Sequence, residues 1–299
     1  MREGAEGERP WTGKSHGGYA GHLCFAFIVR RMGLRPAYAL LAFVAAYFMA
    51  FKRGVYRESA RYLARAANPP RLLMPVFVYR HVFSFGRTLI DKWAYLSGCG
   101  DVRIINACRG EAERLMEGGR GLVVLSAHFG AWECASQILE GEYGRKVRIL
   151  GMRREHADIE GLLEKNRKMA APVMIDQSEG GASAIEAFAA LKSGAIVAMQ
   201  GDRYAGGRYI RAEFLGKPAK FPTAAYSLAS AAEVAVLQTL CVRVAHKTYE
   251  VRAAGSFLPG RGKPPKQPDE CARAFAANLE RQARKTPFMW FNFYDFWAE

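Results

Sequence analysis

Two residue types that do proton chemistry lie five positions apart in Ser126-Ala-His128-Phe-Gly-Ala-Trp-Glu133. On one continuous helix that spacing turns through roughly 500°, so the two side chains point about 140° apart and share no face. They can meet only if His128 sits in a loop and Glu133 in the first turn of a following helix. Gly130 supplies the conformational freedom such a turn needs. A carboxylate in a first helical turn is also favoured by the helix dipole. An imidazole with one nitrogen held by Glu133 and the other available is a general base that activates a hydroxyl or amine. On spacing alone, a capping or packing histidine remains the alternative.

The elements around this motif fit that role. Leu122–Leu125 is an unbroken apolar run, as expected of a strand covered on both faces of a parallel sheet. The run from about 131 to 139 reads as a helix. Further along, strands and helices alternate. Strands are predicted over 102–106, 146–152, 173–176, 195–200, 234–244 and 249–254. Helices are predicted over 109–117, 156–169, 182–192, 223–232 and 270–285. The alternation implies an α/β fold, a mostly parallel central sheet flanked by helices. Residues 72–96 read as a helix or helix pair with aromatic residues at helical spacing.

Three strands end in polar groups: Ala127-His128, Met152-Arg153-Arg154 and Gly201-Asp202-Arg203. Parallel strands bring their carboxyl ends to one side, so these groups can share a crevice. Guanidinium binds phosphate or carboxylate through two parallel hydrogen bonds. Asp202-Arg203 also reads as a local ion pair. Residues 214–222 read as a turn-rich loop, with Pro222 near the start of a helix and Thr223 as its cap. A loop entering a helix N-terminus can bind anions.

Composition bounds the partners. The chain has 299 residues, half of them hydrophobic, enough for one large α/β domain or one domain with an appendage. The net charge of +15, from 43 basic against 28 acidic residues, implies an acidic partner: nucleic acid, anionic lipid or an acidic protein. The sequence carries no nucleic-acid motif. The six cysteines form no C-x-x-C pair, and no zinc or Walker-type phosphate pattern appears. Neither a metal nor another cofactor is expected.

The chain divides into a lead-in over 1–22, a hydrophobic helical segment over 23–67 and a main domain over 68–299. Residues 37–51 are uncharged, and as a helix they span roughly 22 Å against a hydrocarbon core of roughly 30 Å. Arginines flank both ends. We read the segment as lying in the membrane interface, with a span or a buried helix as alternatives. Arg57, Arg61 and Arg65 follow at four-residue spacing, a basic stripe suited to anionic headgroups, or a solvated face. The closing run from Trp290 to Trp297 reads as a packed element, or as lining for an acyl groove or a contact with the membrane.

Ser126-Ala-His128-Phe-Gly-Ala-Trp-Glu133 resembles the His-x4-Asp/Glu signature of the glycerolipid and lipid A acyltransferase superfamily. Gln200-Gly-Asp-Arg203 resembles its Gly-x-Arg block, and Phe214-Leu-Gly-Lys-Pro with Pro222 its apolar-Pro block. Arg153 or Arg154 falls where a basic substrate-binding residue is usual. The aromatic ending resembles a bacterial subgroup classed with late lipid A acyltransferases and linked to aryl polyene lipid pathways. The likeness covers roughly residues 20–297.

The resemblance implies a glycerolipid acyltransferase-like fold at the cytoplasmic face of the bacterial inner membrane. It implies an acyl carrier protein or acyl-CoA donor and a lipid acceptor such as a lipid A precursor. His128 would be the base and Glu133 its orienter. Arg203 with Arg153 would hold an acceptor anion, and the backbone near Gly130 would face the oxyanion. Two rivals stand beside it. One is a hydrolase using Ser126, which lacks a G-x-S-x-G elbow. The other is a non-catalytic lipid-binding protein of the same fold.

Overall fold

In the computed structural model, residues 18–151, 172–204, 206–258 and 267–297 are described. The described residues open with four helices: α1 (Gly18–Met32), α2 (Leu34–Phe51), α3 (Arg53–Ala66) and α4 (Met74–Ser97). Of the expected helix or helix pair over 72–96, the structure has the single helix α4. Next come β1 (Arg103–Asn106), α5 (Arg109–Leu115), β2 (Leu122–Ser126), α6 (Trp132–Tyr143), β3 (Val147–Gly151) and β4 (Val173–Asp176). Then follow α7 (Gly181–Lys192), β5 (Ile196–Gln200), β6 (Tyr209–Phe214), β7 (Lys217–Pro222), α8 (Ala224–Ala232), β8 (Ala235–Ala245), β9 (Thr248–Phe257) and α9 (Pro268–Lys285). The helix expected over 156–169 lies outside the described residues.

Seven strands form one sheet in the order β1-β9-β8-β2-β5-β3-β4. Neighbours are parallel except β8 and β9, which are joined as an antiparallel hairpin. The fold is therefore α/β with a mostly parallel sheet flanked by helices. β2 lies between β8 and β5, and Leu122, Val123, Val124 and Leu125 are all buried. Covering on both faces explains why this strand is written as an apolar run rather than an alternation.

Residues 214–222 do not form a loop into a helix. β6 and β7 pair as a two-stranded antiparallel ribbon. Its turn is Leu215-Gly216, both with positive φ (53° and 78°), the geometry of a tight hairpin. Along β6 buried and exposed residues alternate, with Ile210, Ala212 and Phe214 inward.

The N-terminal helices pack onto this body. α2 runs antiparallel to α4: Tyr38 bonds Asp91, Leu41 fills the space over Gly86, and the Tyr79 hydroxyl donates to Ala42 O at 3.3 Å. A side chain at Gly86 would collide with Leu41. One face of α2 (Leu34, Ala37, Leu41, Ala45) is buried; the other exposes Phe43, Tyr47 and Phe51. With 18 residues and a mean hydropathy of 1.6, α2 is long and apolar enough to cross a membrane. The expected basic stripe of α3 turns partly toward the protein. Arg61 pairs with Glu58 and Asp295, and Arg65 lies over the Trp297 ring.

Candidate active site

The register of β2 against β5 builds the site. Ser126 pairs with Gln200, and Gly201 N–H donates to Ser126 O at 2.9 Å. Two residues beyond each strand end, His128 and Asp202 therefore face one another. Asp202 Oδ1 accepts from His128 Nδ1 at 2.9 Å. Its Oδ2 accepts the His128 backbone N–H and the Trp290 indole N–H, both at 2.9 Å. Asp202 is 1% exposed and the His128 side chain 13%.

Electrostatics fix the proton positions. Burial alone would raise the Asp202 pKa, but the His128 and Arg203 charges and the indole N–H bring it down to about 2. An ionised carboxylate only accepts, so His128 carries its hydrogen on Nδ1 and Nε2 holds the lone pair. Burial pushes the His128 pKa below the usual imidazole value; Asp202 opposes this and Arg203 adds to it. The ring is thus neutral near pH 7, in the tautomer that accepts a proton at Nε2.

Asp202 thus holds Nδ1 of the imidazole, for which the sequence offered Glu133 as partner, and lies buried against the ring. Glu133 does sit in the first turn of α6, where it pairs with Lys92 of α4. Its charge favours the protonated form of His128.

The closing segment completes the site. Phe129 and Trp290 form an antiparallel bridge. Gly130 N–H donates to Met289 O at 2.8 Å and Phe291 N–H to His128 O at 2.9 Å. Gly130 has φ +56°, and a Cβ there would lie 1.9 Å from Cys241 O, so only glycine fits. Its own amide is engaged with Met289. Arg203 Nη2 donates to Phe291 O at 3.1 Å, and its guanidinium lies over the Tyr294 ring. Pro222 ends β7, paired with Tyr209, and Thr223 bonds Arg208 O instead of capping α8 with its side chain. The Ser126 hydroxyl donates to Ala127 O at 3.4 Å. Arg153 and Arg154 lie outside the described residues, two and three positions beyond the end of β3.

The closing aromatics are packed: Trp290, Phe291 and Phe296 are at most 7% exposed. The packed alternative for the closing run holds at these three residues. The Trp290 indole as a donor to Asp202 left no signal in the sequence, since 88 residues separate the pair. Among the described residues no group of three His, Cys, Asp or Glu side chains could hold a metal ion.

A mostly parallel α/β sheet thus brings a carboxylate-held imidazole to its strand ends, where open α/β sheets place their binding sites. The family model for bacterial lipid A biosynthesis acyltransferases matches residues 19–298, and the chain belongs to that family. It is accordingly an acyltransferase of lipid biosynthesis, using an acyl donor and a lipid acceptor. A search of curated proteins finds no match.

Proposed function

We propose that this enzyme moves a fatty acyl group from a thioester, on acyl carrier protein or coenzyme A, to a hydroxyl or amine of a lipid A precursor or related glycolipid. His128 Nε2 takes the proton of the acceptor as its oxygen or nitrogen attacks the thioester carbonyl. The C–S bond then breaks, and the imidazolium returns the proton to the departing thiolate. No covalent enzyme intermediate is required. Asp202 holds the Nδ1–H tautomer, and Glu133 adds negative potential that stabilises the imidazolium. Arg203, Arg153 and Arg154 provide the positive field for an acceptor phosphate or sugar acid. Gly130 and Pro222 shape the loops around the site. The reading rests above all on the hydrogen bond between His128 Nδ1 and Asp202, which leaves Nε2 as the base.

The site works at the cytoplasmic face of the inner membrane in this reading. α1 and α2 expose Phe27, Phe43, Tyr47 and Phe51, and Leu72 and Val76 are exposed at the start of α4. Because α2 and α4 are antiparallel, the last turn of α2 lies beside the first turn of α4, so Phe51, Leu72 and Val76 gather at one end. Arg53, Arg57 and Arg71 are exposed around it. An apolar patch with an arginine rim fits an anionic bilayer surface.

The test is acyl transfer in detergent. Labelled acyl carrier protein thioester or acyl-CoA is supplied with a total lipid extract, and products are read by mass. A new acylated lipid, absent with His128→Ala, is expected. Free fatty acid as the sole product would replace this reading with hydrolysis. Bound lipid without turnover would replace it with a binding protein.

A further inference from the structure

Behind Asp202 a second line of hydrogen bonds runs into the helical layer. The Trp290 carbonyl lies 2.9 Å from His81 Nε2, and His81 Nδ1 lies 2.7 Å from the Ser59 hydroxyl. A carbonyl only accepts, so His81 carries its hydrogen on Nε2 and accepts from Ser59 at Nδ1. Ser59 on α3 and His81 on α4 are fully buried, and Trp290 is 1% exposed. The His81 ring stacks on Phe293 (centroids 4.8 Å apart) and Phe291 (6.1 Å), with Tyr62 at 5.3 Å. Burial brings the His81 pKa down to about 4, so the ring is neutral and keeps this tautomer.

Trp290 reaches the site twice. Its backbone bridges Phe129, the residue after His128, and its indole N–H reaches Asp202. The ring is fixed edge-on by Tyr62, Phe214 and Phe296 at 4.8–5.1 Å. Asp202 Oδ2 is thereby occupied by two neutral N–H donors, which leaves Oδ1 to Nδ1–H of the base.

We propose that His81 and Trp290 are positioning residues for acyl transfer: the Ser59–His81–Trp290 line orients the Asp202 carboxylate and so holds His128 in its proton-accepting tautomer. This rests on the reading of His128 as the base. The charged groups acting on His128 are Asp202, Arg203 and Glu133, the last paired with Lys92. The groups around His81 are Ser59, Tyr62, Phe291, Phe293 and the Trp290 carbonyl, none of them charged.

The experiment compares Trp290→Phe, His81→Phe and His81→Gln with the wild type in the full chain in detergent. One arm measures kcat and both KM values across pH. The other follows the His128 ring by NMR with labelled histidine, which needs no turnover. Trp290→Phe and His81→Phe are expected to lower kcat by about tenfold to a hundredfold while each KM stays within about twofold, the first by losing a hydrogen bond to the charged Asp202 carboxylate and the second by releasing the Trp290 backbone that positions that indole. Trp290→Phe, which leaves Asp202 more basic, shifts the His128 titration upward. His81→Gln keeps an N–H where Nε2 stood and recovers most of the rate.

Folded variants with wild-type kcat and wild-type His128 titration would overturn the proposal. So would lost kcat with an unmoved titration, the mark of a structural role alone. If His81→Phe does not fold, Trp290→Phe and His81→Gln carry the test. Retention of transfer by His128→Ala would instead sink the underlying reading, whereas the titration arm still reports on the coupling.

Discussion

At the scale of single residues, the question is which carboxylate serves His128. Asp202→Asn can present an amide N–H to Nδ1 and so favours the wrong tautomer. It is expected to cost on the order of 10²–10⁴ in kcat with the fold intact, the range spanned by a base that loses its orientation. Glu133→Gln removes the negative potential at His128 and the ion pair with Lys92, and a fall of about tenfold is expected. Equal losses in steady-state assays would return the orienting role to Glu133. In the proposed mechanism His128 must be neutral to act, and burial holds its pKa below the usual imidazole value. Activity should therefore be flat above pH 7 and fall through an acid limb centred below 6.5.

His81 gives a stability counterpart at the same scale. In the unfolded chain it protonates near 6.5, in the folded protein only near 4. Between those values the unfolded state binds the extra proton, so its contribution to stability is lost as pH falls from 6.5 toward 4. Its slope is up to about 1.4 kcal/mol per pH unit. Denaturant titrations of His81→Gln should show a shallower loss over that window than the wild type. The residue types of the 128–133 motif and the buried strand before it were legible in the sequence. The Asp202 partnership was not, because β5 begins 70 residues after β2 ends and nothing local records that they are neighbours.

At the scale of elements, two short pieces decide the geometry: the 127–130 loop and the 289–292 segment that pairs with it. Gly130→Ala places a methyl group against the Cys241 carbonyl at a positive φ. It is expected to cost about 1–3 kcal/mol or more and to lower Tm and activity together, as displaced backbone in this loop carries His128 with it. A variant with wild-type Tm would show that the loop yields freely. Sequence reading found the strands because β2 and β5 are buried on both faces and so are written as apolar runs. It missed the β6–β7 ribbon because the turn carries Leu215 where Asn or Asp would announce it. Tertiary contacts hold that residue: Glu280 accepts its N–H at 2.7 Å. It likewise could not see that Arg61 and Arg65 turn to Asp295 and Trp297.

At the scale of the whole molecule, a net charge of +15 meets an apolar end. Phe43, Phe51 and Leu72 are 76%, 70% and 93% exposed. Replacing all three with serine removes side chains worth about 1.5–3 kcal/mol each on full burial, so vesicle partitioning should fall by well over tenfold. Added salt should weaken what remains on anionic vesicles. Unchanged partitioning in sedimentation would place the contact elsewhere. The bridge between Phe129 and Trp290 also orders events in time. The loop that carries the base leaves the ribosome about 160 residues before the segment that secures it, and closing so long a loop comes late on entropic grounds. The four N-terminal helices emerge first and make largely local contacts. The loop around His128 therefore stays without its partner until the 289–292 segment has been made, long after the helices that precede it have had the chance to pack.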